Sequence, residues 1–430
     1  MESLDTEHGK KTLTKFQKIF LFVCLFAAFL IRLNAVLQDI SLPVKDAAEY
    51  DQLARGLVEG KGYRDAQGNL TAWRPPFYPI FLAAIYQVAG HNYQAVRLAQ
   101  ALLSMLTVWL IAEWARILFG GRAACWAALT AAVYPAFYAY TFSCSELLSE
   151  TLYTFLLTAS LVSLYQYLYA PHWLKAVTSG LALGFAILTR PIPLLLVFFL
   201  PVIFLLLRYP WRKVLPPYLL LCGVTFLVLL PWTIRNYRVF GRLVPVSTMS
   251  GATFYLANHP GADGMGGSGG GPTGFYHGVF FPIEEKLVAA GVPETERTSV
   301  FYQKGLEFIR SRPQEILRLF LWKALLYMDP RTLMLKEGKY QSTVTWFYLW
   351  VLAGAVASGF VARSEPELRR PILSMALIFG YFVAVHMVYL TSERYRFPTE
   401  PLLIVLASFS FDRLTRRVLP LPAMVEKGNR

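Results

Sequence analysis

The polar residues that could do chemistry are concentrated between residues 46 and 79, in the first polar segment after an apolar run. Asp46, Glu49 and Tyr50 are spaced so that a helix would place Asp46 beside the other two. A carboxylate within hydrogen-bond reach of a hydroxyl can act as its general base, and we assign this role first to Asp46 and otherwise to Glu49. The alternative for Asp46 is the N-cap of the helix that follows. Glu49 and Arg74 add more polarity than a cap needs, so we favour a catalytic segment.

Arginine side chains form a second set of reactive-site candidates. They lie at the ends of apolar runs and are, in chain order, Arg190, Arg235, Arg394 and Arg396. A charged group at a membrane boundary needs a partner, and the planar guanidinium group suits phosphate oxygens. Several such groups on one face therefore predict a site for an anionic ligand. The alternative is snorkelling, or structural pairing with carboxylates such as Glu146.

Further candidates flank these groups. Glu146 and Glu150 are one helical turn apart at the start of an apolar run, where a carboxylate is costly and usually functional or paired. The predicted substrate-binding residues are Tyr50, Arg74, Glu146, Glu150, Arg190, Arg235, Asn236, His259, Glu393, Arg394, Tyr395 and Arg396. The histidines and cysteines show no ligand spacing, so the sequence requires no metal or other cofactor, although it allows a divalent cation.

The composition of the sequence indicates that these residues belong to a membrane protein. The 430 residues are 55% hydrophobic and only 16% charged, whereas about a quarter of a soluble domain is charged. Several apolar runs reach the ~20 residues that span a bilayer, so membrane lipids are expected partners. The net charge of +14 could indicate nucleic acid. An excess of Lys and Arg in cytoplasmic loops explains it better, and we expect no nucleic-acid partner.

Hydropathy predicts an all-α polytopic membrane protein with about ten spans. These are 17–38, 95–118, 122–142, 147–170, 174–190, 192–208, 213–233, 342–362, 371–391 and 399–414. With the N-terminus inside, the basic loops fall on the cytoplasmic side, as the positive-inside rule requires. We expect one membrane domain over 1–430, with extracytoplasmic loops at 39–94 and 234–341. The amphipathic stretch 316–327 is predicted to be an interfacial helix, because counting it as a span would place the later basic loops on the outer side of the membrane.

Short motifs occur in a characteristic order along the chain. D-x-x-E-Y-x-x-L-A begins at Asp46, R-P-P-x-Y-P at Arg74 and G-x-x-x-x-A-V-R-L at Gly90. The later motifs are SETLY (149–153), GLALGFAILTRP (180–191), PWTIRNY (231–237) and ERYRFP (393–398). Together they resemble the GT-C-fold glycosyltransferases of the bacterial protein-mannosyltransferase and aminoarabinose-transferase type.

The resemblance implies a GT-C fold and a hexosyl- or pentosyltransferase outside the cytoplasmic (inner) membrane. Such an enzyme moves a sugar, with inversion, from a polyprenyl phosphate to a hydroxyl of a lipid, polysaccharide or protein. The family's first-loop catalytic acid maps onto Asp46. Relatives often carry two adjacent acidic residues there, whereas Ala47 follows Asp46 here, and this departure keeps Glu49 open as the base.

Three other functions stay open at this point. A lipid-linked polysaccharide ligase or polymerase would share the fold but would use a diphosphate donor. A transporter or flippase of an anionic glycolipid would also need arginines at the membrane face, but it would need no base in the first loop. A non-catalytic scaffold would leave the concentration of polar residues around Asp46 unexplained.

Overall fold

The computed structural model describes residues 12–39, 41–139, 146–265, 279–330 and 341–418. Within these ranges 79% of the residues are helical and no strand is present, only a single bridge between Arg64 and Leu70. The predicted all-α fold class is therefore confirmed.

The described residues form long apolar helices, with further helices in the segments that connect them. Up to residue 265 they are α1 (Lys15–Gln38), α2 (Asp46–Val58), α3 (Phe77–Ala89), α4 (Tyr93–Phe119), α5 (Gly121–Val133), α6 (Ala136–Ala139), α7 (Glu150–Tyr169), α8 (Trp173–Thr189), α9 (Leu194–Leu206), α10 (Trp211–Phe240) and α11 (Ser250–Ala257). From residue 279 onward they are α12 (Phe281–Ala289), α13 (Glu294–Ser311), α14 (Pro313–Met328), α15 (Gln341–Val361), α16 (Pro366–Val388), α17 (Glu393–Arg396) and α18 (Glu400–Val418).

Each predicted span overlaps a helix of the described residues. Five helices, α1, α4, α10, α15 and α16, are long and apolar enough to cross a membrane, while α3, α8 and α9 are shorter apolar helices. The total of about ten spans stays a prediction. The span predicted at 122–142 is shorter, because α5 ends at Val133 before Pro135, whose ring disfavours helical backbone at the preceding residue. Its last predicted residues, 140–142, lie outside the described ranges.

Ion pairs hold the basic connecting segments together at one end of the helix bundle. Arg122, at the start of α5, lies 3.1 Å from the buried carboxylate of Asp412 in α18. Arg413 bonds Glu365, between α15 and α16, at 2.6 Å. Three segments that the hydropathy pattern places on one side therefore meet in space.

The long segment between α10 and α15 begins and ends at the opposite end of the bundle. Near the end of α10, Arg235 donates to the carbonyl of Thr71 at 2.8 Å. Near the start of α15, the ring of Tyr348 lies 3.7 Å from the guanidinium carbon of Arg396. Helix α14 covers the stretch predicted to be an interfacial helix and packs against α16, and its interfacial position stays a prediction.

Helices α8 and α10 approach each other closely along a surface of small residues. A side-chain carbon at Gly180 would lie 2.7 Å from the carbonyl oxygen of Leu221, and one at Gly184 would lie 2.7 Å from Cβ of Val228. Glycines four residues apart allow such contact between apolar helices. This packing sets the position of the C-terminal end of α8, where Arg190 follows.

Candidate active site

The first turn of α2 presents Asp46 to the site. The predicted helix is confirmed, and the alternative N-cap role of Asp46 does not apply, because the helix begins at Asp46 and Lys45 occupies the cap position. Lys45 has φ 51°, a backbone conformation that costs energy for a residue with a side chain and is often found at functional sites. The carboxylate of Asp46 bonds guanidinium groups rather than the helix N-terminus.

A tight turn between α2 and α3 brings Arg74 back onto α2. Asp65 accepts hydrogen bonds from the backbone nitrogens of Gln67 (3.0 Å) and Asn69 (2.7 Å), and Gly68 supplies the positive φ of 84° that the turn requires. The chain then runs antiparallel to itself for a few residues. As a result Arg74, 28 residues after Asp46, reaches the first turn of α2.

Glu294, the first residue of α13, holds the segment before Arg74 in place. Its carboxylate accepts from the hydroxyl of Thr71 at 2.8 Å and from the backbone nitrogen of Ala72 at 3.0 Å, and it also bonds the hydroxyl of Thr248. The sequence carries no local signal for this role, because Thr71 and Ala72 precede Glu294 by more than 200 residues. Glu294 thus positions Arg74 from a distant part of the chain.

Asp46 is bonded through both of its carboxylate oxygens. Oδ1 accepts from Nη2 of Arg74 at 2.7 Å, and Oδ2 accepts from Nη1 of Arg394 at 2.9 Å. Nε of Arg74 also donates to Oε2 of Glu49 at 2.6 Å. Burial by itself would raise the pKa of Asp46, but the two guanidinium groups outweigh it and hold that pKa well below its usual range.

Glu150 binds two arginines at the other side of this group. Its Oε1 accepts from Nη2 of Arg190 at 3.0 Å and from Nε of Arg394, and its side chain is fully buried. Glu150 is the first residue of α7 and Arg190 is the C-cap of α8. A carboxylate at a helix N-terminus and a cation at a helix C-terminus are both favoured by the helix dipole.

The six side chains form a continuous chain of alternating charge, here called the ion-pair chain. Its order is Glu49, Arg74, Asp46, Arg394, Glu150, Arg190. Three carboxylates and three guanidinium groups make its net charge zero. Two buried donors are left over among the described residues: Nη1 of Arg190 and Nη2 of Arg394 have no hydrogen-bond partner. Their parent side chains are only 13% and 16% exposed. The ion-pair chain therefore keeps two unpaired groups of donors, on Arg190 and Arg394, that are suited to an anion.

Two tyrosine rings support the guanidinium groups of the ion-pair chain. The guanidinium carbon of Arg74 lies 5.2 Å from the ring centre of Tyr50, and that of Arg190 lies 5.4 Å from Tyr395. Such stacking stabilises a desolvated cation without consuming its N–H donors. The structure thus brings together Asp46, Glu49, Tyr50, Arg74, Glu150, Arg190, Arg394 and Tyr395 of the predicted site residues.

Arg396 points away from the ion-pair chain, although it is two residues from Arg394. Its Nε bonds Glu400 at 3.0 Å in a fully buried pair, and its Nη1 donates to the carbonyls of Tyr327 (3.2 Å) and Asp329 (2.5 Å). These contacts tie the end of α14 to α18.

Three other predicted site residues, Arg235, Asn236 and His259, make hydrogen bonds outside the ion-pair chain. Arg235 donates to Thr71, Tyr63 and the side chain of Asn236, whose amide donates to Val244, so these two residues hold backbone segments. His259 bonds the carbonyl of Pro260 at 2.8 Å, and burial lowers its pKa. The remaining two are Glu146, whose carbonyl accepts from Gln100, and Glu393, which is buried at the start of α17.

The carboxylates of the ion-pair chain are arranged for cationic side chains rather than for a metal ion. Asp46, Glu49 and Glu150 are each within 3.0 Å of a guanidinium nitrogen. No group of three or more His, Cys, Asp or Glu side chains in the described ranges is placed to hold a metal. Within the described ranges these paired carboxylates form no divalent-cation site.

Comparison with known proteins finds one family pattern and several solved structures that resemble this chain. A family model described as dolichyl-phosphate-mannose-protein mannosyltransferase matches residues 73–234. The solved structure of ArnT from Cupriavidus metallidurans bound to undecaprenyl phosphate is 18% identical, with a TM-score of 0.55 over 94% of this chain and 62% of that one. Oligosaccharyltransferase AglB from Archaeoglobus fulgidus, in complex with an inhibitory peptide and a dolichol-phosphate, is 13% identical, with a TM-score of 0.58 over 94% of this chain and 51% of that one. No curated protein sequence matches the chain.

The chain has the GT-C fold, and the resemblance inferred from its motifs is confirmed. The mannosyltransferase pattern covers residues 73–234, which include Arg74, Glu150 and Arg190 of the ion-pair chain. The chain spans between about half and three-fifths of the length of the solved proteins it matches.

Proposed function

We propose that the protein is an inverting membrane glycosyltransferase that moves a sugar from a polyprenyl phosphate to a hydroxyl acceptor. The observation that carries the proposal is the ion-pair chain, which places a carboxylate, Asp46, next to unpaired buried donors of Arg190 and Arg394. A general base beside an anion site is what a transfer from a lipid phosphate requires. The lipid phosphates in the ArnT and AglB structures support this class of donor.

In the proposed reaction the acceptor oxygen attacks the anomeric carbon on the face opposite the phosphate. A bond from the acceptor oxygen to that carbon forms, the bond from the carbon to the phosphate oxygen breaks, and the configuration inverts. The acceptor proton passes to Asp46. The lipid phosphate leaves with the bonding electron pair, and Arg190 and Arg394 stabilise the charge that develops on it.

Donor binding would also prepare the base. Both oxygens of Asp46 accept from guanidinium groups, and these bonds lower the basicity of the carboxylate. A phosphate that competes for Arg394 would weaken its bond to Oδ2. That oxygen could then accept from the acceptor hydroxyl, and the pKa of Asp46 would rise towards its usual range.

The proposal also covers the acceptor and the side of the membrane on which the reaction takes place. A lipid, a polysaccharide or a protein hydroxyl would each meet the chemistry above. The basic residues gathered at the opposite end of the bundle, Arg122 and Arg413 among them, support a cytoplasmic location for that end. The site would then face the outside of the inner membrane. The reaction as proposed uses no metal.

The test is the Asp46→Asn variant, which keeps the size of the side chain and removes the base. We expect transfer to fall by at least about a hundredfold, because a positioned base contributes roughly that much or more, while polyprenyl phosphate still binds. Transfer is measured by mass spectrometry of envelope glycans and accumulated lipid-phosphate sugars in a deletion strain that carries each variant. Glu307→Gln, on an exposed part of α13, is the control. Normal turnover by Asp46→Asn would reassign the base to Glu49.

A further inference from the structure

His386, near the C-terminal end of α16, is held in a fixed orientation. Its ring stacks against Tyr327 and Tyr395, with ring centres 5.3 and 5.1 Å away and interplanar angles of 22° and 29°. Its Nδ1 lies 2.7 Å from the carbonyl oxygen of Leu390. A carbonyl can only accept, so Nδ1 carries the proton and Nε2 of the neutral ring presents a lone pair.

Nε2 of His386 is buried and has no hydrogen-bond partner among the described residues. The same holds for Nη1 of Arg190, Nη2 of Arg394 and the hydroxyl of Tyr153. Most buried polar atoms in proteins are bonded, and each exception needs an explanation. Several such atoms in one region would be satisfied together by a polar ligand.

These unpaired atoms share one neighbourhood around Tyr395. The imidazole of His386 stacks on the Tyr395 ring, and the guanidinium carbon of Arg190 lies 5.4 Å from the centre of the same ring. Arg394 is the adjacent residue in sequence. Tyr153 lies one helical turn after Glu150, which binds both arginines. The region therefore adjoins the predicted phosphate position.

The unpaired atoms differ in what they can bond. Arginine nitrogens only donate, so Arg190 and Arg394 match the oxygens of a phosphodiester, which only accept. Such a phosphodiester cannot satisfy Nε2 of His386, which needs a donor. A sugar hydroxyl both donates and accepts, and in the donor substrate the sugar is bonded directly to the phosphate.

We infer that His386 accepts a hydrogen bond from a hydroxyl group of the donor's sugar and is a specificity-determining residue of the site. This inference rests on the proposed function. A site built to bond a hydroxyl discriminates strongly against an analogue that lacks it, because its buried polar atom is then left unpaired. Stacking and the Leu390 contact prevent the imidazole from turning to find another partner.

The test compares binding of lipids with and without a sugar. Probes are polyprenyl phosphate, its mannoside, glucoside and galactoside, and monodeoxy analogues of the tightest binder. His386→Phe keeps a flat ring between Tyr327 and Tyr395 but removes Nε2. We expect it to weaken the sugar-bearing lipid by about tenfold or more and to leave polyprenyl phosphate unchanged. One monodeoxy analogue should bind wild type more weakly and the variant equally well. His172→Phe, at the exposed start of α8, is the control.

The outcomes separate the two proposals. Equal weakening of both lipids by His386→Phe, or no weakening of either, would overturn the role of His386. So would equal binding of every deoxy analogue by wild type, a measurement that does not depend on how well the variant folds. His386→Gln offers an amide oxygen as a substitute acceptor and should restore part of the lost affinity. Failure of wild type to bind any polyprenyl phosphate would instead overturn the proposed function, and the inference with it.

Discussion

Replacing Glu150 by Gln should destabilise the ligand-free protein and increase its stabilisation by polyprenyl phosphate. Glu150 is fully buried, and its Oε1 accepts from both Arg190 and Arg394. Glutamine keeps the shape and an acceptor oxygen but removes the negative charge. Two buried guanidinium groups therefore lose the counter-ion that they share.

The expected size of the effect follows from the geometry of the ion-pair chain. Loss of one partner of a buried ion pair costs about 3–5 kcal/mol in the free energy of unfolding. Arg394 keeps its bond to Asp46 and glutamine keeps an acceptor, so we expect about 3 kcal/mol, the lower end of that range. Three carboxylates balance three guanidinium groups in the wild type, so the variant carries one extra positive charge. A bound phosphate would compensate this charge, and its affinity should rise about tenfold, or ~1.4 kcal/mol.

The assay is thermal unfolding in detergent at one scan rate, with and without polyprenyl phosphate. The variant should have a lower Tm than wild type without lipid and a larger upward shift with it. Glu315→Gln is the matched control, because Glu315 forms an exposed pair with Arg312 and such pairs contribute at most about 1 kcal/mol. An unchanged Tm for Glu150→Gln, or a lipid-induced shift no larger than that of wild type, would refute the reasoning.

Further predictions concern two arginines, pH and helix packing. Arg394→Ala should weaken binding of polyprenyl phosphate by about tenfold or more and spare acceptor binding. Arg396→Ala should mainly lower the Tm, because the partners of Arg396 are structural. Lipid titration and melting curves distinguish the two variants, and equal loss of lipid affinity in both would contradict the assignment. Because the pKa of Asp46 is depressed, its ion pairs contribute full stability above about pH 4 and lose it as pH falls below that value. The Tm of Asp46→Asn should therefore fall less steeply in acid than the Tm of wild type, and parallel acid profiles would count against this. Gly184→Ala should lower the Tm by pushing α8 away from α10. Gly223→Ala is the control, because a side-chain carbon there meets nothing within 4 Å and the Tm should not change. Equal melting temperatures of the two variants would show that the close contact between the helices contributes little.

The pattern of the sequence predicts most of the helices, because their signals are local. Apolar runs give their lengths, and Gly60 and Gly90 end the two helices of the first loop at positive φ. Helices α5 and α10 deviate most, since α5 ends at Val133 rather than at 142 and α10 continues to Phe240 rather than ending at 233. The motifs that carry the family resemblance are also local, and Asp46 and Arg74 were identified from them.

Only the tertiary structure determines which of these residues are in contact. Arg394 lies 348 residues from Asp46 and 244 residues from Glu150, and no local pattern records such pairings. Arg394 and Arg396 show most clearly what the sequence cannot predict, because they belong to the same motif and have the same side chain. Two residues in a helical turn are separated by roughly 200°, so only one of the two arginines can face the ion-pair chain. The sequence determines the chemistry of each residue, but the direction in which its side chain points depends on how the surrounding helices pack.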